Sequence, residues 1–162
     1  MSQNLKEKSL SQEVPATPAE LSAGTTGNLS DIDERIRLAL HAAAEKKALE
    51  PTVLDLRGIA SFTDFFVITT GTNRRQCQAI SDEVVDQLKR AGTRAARVEG
   101  YQTAEWILVD YGDFVVHVFD AKARRFYDLE RLWREAKRMD VGDTSQPANQ
   151  TERDGSRSPT DL

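Results

Sequence analysis

The sequence is poor in the features that would place it outside the cell or in a membrane. Cys77 is the only cysteine among 162 residues, so no disulfide can form within the chain, and a single thiol fits a reducing compartment. No apolar run approaches the roughly 20 residues that a membrane-spanning helix needs. The N-terminal region lacks a hydrophobic signal core and carries Glu7, Glu13 and Glu20, which argues against a transit peptide. We therefore expect a cytoplasmic protein that does not enter a membrane.

A strong charge of either sign is also missing from the central part of the chain. Residues 31–140 hold 18 Lys and Arg against 19 Asp and Glu, whereas the formal net charge of the whole chain is −4. Most of the excess negative charge therefore lies in the two ends. Because a domain of balanced charge has no general attraction for a phosphate backbone, dominant direct binding to nucleic acid is disfavoured. A local basic patch remains compatible with these counts.

The two ends lack the large apolar side chains that a folded core requires. Residues 1–29 are rich in Ser, Gln, Thr, Pro and Gly, and residues 141–162 in Ser, Pro, Gly, Asn and Asp. Such segments cannot bury enough surface to offset the entropy lost on ordering, so both tails are predicted to be disordered. The remaining residues, 30–140, are long enough for one folded domain.

Hydrophobic periodicity in residues 30–140 predicts a mixture of helices and strands. The predicted elements are a helix capped at Ser30, strands at 53–57 and 65–70, a helix from Asn73 to Ala91, a strand at 94–98, a hairpin at 106–119, a basic turn at 122–125 and a terminal helix at 128–137. This order predicts a mixed α/β (α+β) fold, in which helices pack on a mixed sheet of about five strands.

The stretch from Trp106 to Phe119 carries the clearest local signal. Two runs of β-branched and aromatic residues flank Gly112-Asp113, and Gly adopts the positive φ of a tight hairpin turn without steric cost. Side chains alternate across each strand, so the hairpin has two faces. The face that is predicted to be core carries Ile107, Val109, Tyr111, Phe114, Val116 and Val118. The second, mixed face carries Trp106, Leu108, Asp110, Val115, His117 and Phe119.

The mixed face has two interpretations. Aromatic residues beside an acid and a histidine are typical of a surface that contacts another protein. Alternatively, a helix of the same chain covers this face and His117 forms a hydrogen bond to Asp110 across the strands, because buried polar groups usually find partners. The sequence alone leaves both interpretations open.

The junction between the second strand and the long helix could hold an anion. Thr72, Asn73, Arg74 and Arg75 lie where the amide groups of a helix N-terminus and the helix dipole favour negative charge. The glycine spacing of a phosphate-binding Walker loop is absent. Capping of the helix by Thr72 or Asn73 explains the same residues without a ligand.

The polar residues do not form a recognisable catalytic or metal site. Asp110 and Asp113 straddle the predicted turn and fit turn chemistry. Asp110 and His117 could pair as acid and base, but no nucleophile or second base lies near them in the sequence. His41 and His117 belong to different elements, and no cysteine–histidine cluster has zinc-ligand spacing. We therefore predict no catalytic residues, no metal and no cofactor.

Several segments of the chain form a recognisable set when they are taken in order. They are Thr63-Asp64 before the strand at 65–70, Thr70 to Asn73, Val98 to Gly100, the hairpin from Trp106 to Phe119, and Phe126 to Trp133. This set resembles the signature of the ribosomal silencing factor family (RsfS, also called Iojap or YbeB). The resemblance covers residues 31–138 and leaves both tails outside.

The resemblance implies a non-catalytic, nucleotidyltransferase-like fold and a role in translation. Members of this family bind ribosomal protein fourteen of the large ribosomal subunit and block joining of the small subunit, which slows translation when nutrients are scarce. Many are homodimers when free. The partner contacts implied for this chain are Trp106, Leu108, Asp110, His117 and Phe119, with Glu105 at the rim. The alternatives are a nucleotide-binding or nucleotidyl-transferring enzyme, suggested by the Gly71 junction, and a homodimeric scaffold without a ribosomal role.

Overall fold

The computed structural model describes residues 26–28 and 32–141, which form a mixed seven-stranded sheet with helices on both faces. The strands are β1 (Thr26–Asn28), β2 (Leu49–Asp55), β3 (Phe65–Gly71), β4 (Arg97–Glu99), β5 (Trp106–Asp110), β6 (Phe114–Asp120) and β7 (Lys137–Asp140). The helices are α1 (Glu34–Glu45), α2 (Arg74–Arg90), α3 (Ala121–Tyr127) and α4 (Leu129–Leu132). Across the sheet the strand order is β1-β7-β2-β3-β6-β5-β4. The predicted mixed α/β fold is confirmed, but the sheet has seven strands rather than about five.

The hairpin of β5 and β6 turns where the sequence predicted. Asp110 lies opposite Val115 and Leu108 lies opposite His117, which is the register that a two-residue turn at Gly112-Asp113 produces. Gly112 has a φ of +86°, so it supplies the left-handed conformation that the turn requires. Strand β6 continues the sheet by pairing in parallel with the buried strand β3.

Helices α1 and α2 pack on the apolar face of the hairpin. The residues predicted to face the core are buried in this layer: Ile107, Val109, Tyr111, Phe114, Val116 and Val118. Helix α1 is capped by Asp33, whose side chain accepts a hydrogen bond from the Arg35 amide. The predicted cap, Ser30, lies outside the described residues. Helix α2 is capped by Asn73, one of its two predicted caps.

The C-terminal segment covers the opposite face with two short helices, so the prediction of one helix at 128–137 is wrong. The prediction of a turn at 122–125 is also wrong, because these residues belong to helix α3, and Asp128 directly after this helix has a φ of +45°. This left-handed residue interrupts the helical path, and α4 is only four residues long. The chain then straightens into β7, which pairs antiparallel with β2.

The outermost strand pair reaches into a segment predicted to be disordered. Strand β1 lies within the predicted tail 1–29 and pairs in parallel with β7. The structure therefore differs from that prediction at 26–28. Residues 1–25, 29–31 and 142–162 lie outside the described residues, so disorder of the rest of both tails stays a prediction.

Candidate functional site

The mixed face of the hairpin is half covered by the chain's own C-terminal segment. Its buried residues are Val115, His117 and Phe119. Its residues that reach the surface are the half-buried Trp106, Leu108 and Asp110, and the neighbouring Glu105 is exposed. The buried residues form an apolar cluster with side chains of α3, α4 and the loop before β7. His117 and Phe119, which the resemblance implies as partner contacts, are therefore buried, and the interpretation that a segment of the same chain covers the face holds for these two residues.

His117 lies beneath Trp106 and holds its indole ring. The indole Nε1 of Trp106 donates a hydrogen bond to Nδ1 of His117, with 3.0 Å between the two nitrogens. The Phe66 ring lies 4.4 Å from the imidazole, at an interplanar angle of 73°. Burial lowers the pKa of His117 to about 3, so the imidazole is neutral at physiological pH. The unprotonated Nδ1 of a neutral imidazole can accept a hydrogen bond from the indole N–H, and the orientation of Trp106 is thereby fixed.

Asp110 is not the partner of His117, so the hydrogen bond that the second interpretation of the mixed face assumed does not form. Its Oδ1 accepts from the Gly112 amide at 2.8 Å, which is an interaction within the turn. Its Oδ2 accepts from Nη2 of Arg97 on the neighbouring strand β4, at 3.3 Å. Asp110 therefore stabilises the end of the hairpin and remains partly accessible at its surface.

Aromatic side chains form a continuous layer across this face of the sheet. Centroids of neighbouring rings lie 4.4 to 6.1 Å apart along the series Phe62, Trp133, Phe66, His117, Trp106, Tyr127 and Phe126. We refer to these side chains as the aromatic layer. Its two ends are exposed, since Phe62 is 60% and Phe126 is 77% accessible. Edge-to-face contacts between neighbouring rings support the exposed ends from below.

A shallow depression of about 590 Å³ is lined by Phe126, Tyr127 and Trp133 of the aromatic layer. Leu132 lines it and is 70% exposed. Trp133 is half-buried in the same wall. Large apolar side chains that are exposed close together mark a site of interaction with another molecule. This side of the molecule can therefore bind another molecule through the packing of apolar side chains.

The sequence interpretation missed Phe62, Phe126 and Tyr127 as surface residues. Consecutive residues of a helix point about 100° apart, so Phe126 and Tyr127 cannot both face the sheet from a single helix. That signal was available in the sequence. Phe62 lies in a loop where no periodicity indicates which way a side chain points.

At the start of α2, three of the residues predicted to hold an anion bind groups of the protein itself. Asn73 Oδ1 accepts from the Gln76 amide at 2.8 Å, as a helix cap does. The amide and the hydroxyl of Thr72 both donate to Gln76 Oε1, at 2.6 and 2.8 Å. Arg74 Nη2 donates to a backbone carbonyl of the loop before β5, at 2.9 Å, while Arg75 is exposed. Capping accounts for the contacts of Thr72 and Asn73.

The side chain of Arg124 connects α3 to the sheet and to α4 by hydrogen bonds. It is 9% exposed. Its Nη1 donates to Thr70 Oγ1 on β3 at 2.7 Å, and its Nη2 to Thr52 Oγ1 on β2 at 3.2 Å. Its Nε donates to Glu130 Oε2 on α4 at 3.1 Å. One side chain therefore sets the position of both helices that cover the aromatic layer.

Within the described residues, the side chains that could bind a metal or act as a nucleophile lie apart from one another. No three His, Cys, Asp or Glu side chains within 26–28 and 32–141 are grouped to hold a metal ion. Burial raises the pKa of the Cys77 thiol to about 11, so this thiol stays protonated and behaves as a core residue. In the same residues, every helix is too short or too polar to cross a bilayer.

One family model and several known proteins are similar to this chain. The model described as ribosomal silencing factor during starvation matches residues 29–161. A ribosomal silencing factor from Halalkalibacterium halodurans is 40% identical over 108 residues, which are 67% of this chain and 92% of that protein. A Mus musculus protein named mitochondrial assembly of ribosomal large subunit protein 1 is 29% identical over 128 residues, which cover 75% of this chain and 54% of that protein. A crystal structure of a Chromobacterium violaceum protein has a TM-score of 0.62 and 37% identity, covering 64% of this chain and 86% of that one.

Proposed function

Because this chain belongs to the ribosomal silencing factor family, we propose that it represses translation by occupying the large ribosomal subunit. It binds ribosomal protein fourteen of that subunit, and its bulk then keeps the small subunit from joining, which slows translation when nutrients are limiting. The aromatic layer carries this proposal, because it presents exposed apolar side chains of the kind found at protein interfaces. Steric occlusion in the cytoplasm needs neither a cofactor nor a catalytic group.

The docking surface in this proposal joins the accessible part of the hairpin to the end of α3. Trp106 is its anchor, since its ring lies 4.6 Å from that of the exposed Tyr127. Leu108 extends the apolar area along the same side of β5, and Glu105 and Asp110 supply a polar rim. An aromatic anchor inside a polar rim is the usual arrangement of an interface hot spot. The same apolar surface favours pairing of two copies when the chain is free.

His117 and Phe119 contribute to docking from beneath this surface. The imidazole accepts the indole hydrogen bond of Trp106, and the Phe119 ring lies 5.0 Å from the indole ring. These contacts hold Trp106 in one orientation before a partner arrives. A side chain that is already ordered loses less conformational entropy on binding, so the affinity of the surface is higher.

Sedimentation of ribosomal subunits tests the proposed occlusion. Purified large and small subunits are mixed under joining conditions with increasing amounts of the full chain and are separated on sucrose gradients. We expect the fraction of joined ribosomes to fall while the chain sediments with the large subunit. Undiminished joining at a saturating concentration of the chain would disprove occlusion.

Replacing Trp106 by alanine is expected to weaken binding to ribosomal protein fourteen by about 2 kcal/mol, roughly a thirtyfold rise in Kd. A quantitative pull-down with the purified ribosomal protein measures this change. Leu49→Ala is the matched control, because Leu49 is 46% exposed at the start of β2, outside the aromatic layer. If the Trp106 variant is folded by circular dichroism and binds as tightly as the unmodified chain, Trp106 is not in the interface.

A further inference from the structure

A local excess of positive charge lies at the C-terminal end of the folded domain. Residues 121–138 contain seven Lys and Arg but only three Asp and Glu. Residues 31–140 as a whole are nearly balanced, with 18 basic and 19 acidic residues. The positive charge of the domain is therefore concentrated in the segment that forms α3, α4 and the start of β7.

Most of these cations face solvent and are available to a ligand. The exposed ones are Lys122, Arg125, Arg131, Arg134, Lys137 and Arg138. Within the part of the chain that the structure describes, the side chains of Arg125, Arg131 and Arg134 have no hydrogen-bond or ion-pair partner. Their guanidinium groups are thus free to bind an external anion.

The acidic residues of this segment do not neutralise its outer surface. Glu130 accepts hydrogen bonds from the buried Arg124, so its charge is matched inside the fold. Asp128 is half-buried at the bend between α3 and α4. Glu135 is the one exposed acid within residues 121–138. The surface of the segment therefore keeps a net positive charge.

An exposed aromatic ring lies among these arginines. Arg131 and Arg134 line the same depression as Phe126, together with Asp128 and Glu135, and Arg125 lines an adjoining one. Phe126 is 77% exposed. Single-stranded nucleic acid offers phosphate oxygens, which guanidinium groups bind, and the flat faces of unpaired bases, which stack on exposed aromatic rings.

We propose that the surface formed by Arg125, Phe126, Arg131 and Arg134 binds a single-stranded segment of RNA. The planar donor fork of arginine matches phosphate oxygens, and the phenyl ring provides a platform for base stacking. An acidic peptide matches the charge but offers no base to stack on the ring. The inference deepens the proposed function, because a chain seated on the large subunit meets ribosomal RNA beside its protein partner. Since the domain is nearly neutral overall, this contact supplements the protein contact.

Fluorescence anisotropy with a labelled, unstructured single-stranded RNA oligonucleotide tests the proposal on the full chain. For the double variant Arg131→Glu/Arg134→Glu we expect an affinity at least tenfold weaker. The slope of the logarithm of the binding constant against the logarithm of the salt concentration should be shallower by about 1.4, as for two lost phosphate contacts. Phe126→Ala is expected to bind about tenfold more weakly with an unchanged salt dependence, because stacking involves no counterion release.

The double variant Lys89→Glu/Arg94→Glu is the matched control. It changes the charge of the chain by the same amount at two exposed positions outside the proposed surface, Lys89 in the last turn of α2 and Arg94 in the loop that follows this helix. Equal loss of RNA binding in both double variants, unchanged binding by Arg131→Glu/Arg134→Glu, or equal affinity for a polyglutamate peptide would each overturn the proposal. Binding to ribosomal protein fourteen is measured in parallel, so failure of the protein contact is distinguished from failure of the RNA contact.

Discussion

Substituting alanine for Arg124 is expected to lower the free energy of unfolding by about 3 kcal/mol, as when one partner of a buried ion pair is removed. The variant removes the guanidinium that pairs with the Glu130 carboxylate, whose side chain is 16% exposed, and leaves it only the longer contact to Arg138 at 4.0 Å. It also removes the donor that reaches the buried hydroxyl of Thr70. Urea denaturation followed by circular dichroism measures the change.

A second variant separates the lost charge pairing from the lost packing. Arg124→Met/Glu130→Met removes both charges and keeps apolar volume, so we expect it to cost much less than the single alanine variant. An equal cost in the two variants would show that pairing with Glu130 is not the cause. A cost below about 1 kcal/mol for Arg124→Ala would show that this pair contributes no more than a surface pair.

Changing Gly100 to alanine is expected to destabilise the domain by about 4 kcal/mol, a loss in the exceptional range for one substitution. A Cβ atom at Gly100 would lie 2.1 Å from the backbone carbonyl oxygen of Trp106. That oxygen belongs to the first residue of β5, so the contact is relieved only if the strand moves. Gly100 also has a φ of +79°, which is unfavourable for a residue with a Cβ. Denaturant unfolding at equilibrium measures the loss.

Gly112→Ala is the control for this effect. Gly112 has a similar φ of +86°, but a Cβ there would meet nothing within 4 Å. We expect this variant to lose about 1–2 kcal/mol, the cost of the left-handed backbone alone. A comparable loss in both variants would show that backbone conformation, and not the approach to Trp106, determines the cost at Gly100.

The hairpin could be predicted from the sequence because its signals are local. Gly112 and the flanking β-branched runs specify the turn, and the turn then determines which residues lie opposite each other. Its apolar face was also predictable, since strict alternation leaves no other place for Val109 or Val116 than the core. Helix α2 was predictable for the same reason, because its cap and apolar stripe are adjacent in the sequence.

Accessibility of the mixed face could not be predicted, because it depends on a segment that is distant in the sequence. His117 and Phe119 are covered only because the chain bends at Asp128 and returns across the sheet. Aspartate is enriched among the non-glycine residues with positive φ, but such residues are a small minority, so Asp128 alone does not indicate the bend. Strands β1 and β7 have three and four residues, too few for an alternating pattern to be recognised.

The distribution of tryptophan in the aromatic layer has a practical consequence. Both tryptophans of the chain, Trp106 and Trp133, lie in this layer. Intrinsic fluorescence excited in the indole band therefore reports on one side of the molecule and is silent about the layer of α1 and α2. Arrival of a partner, or lifting of α3 and α4 from the sheet, would shift the emission spectrum. The chain thus carries an optical probe, without any added label, at the surface where docking is proposed.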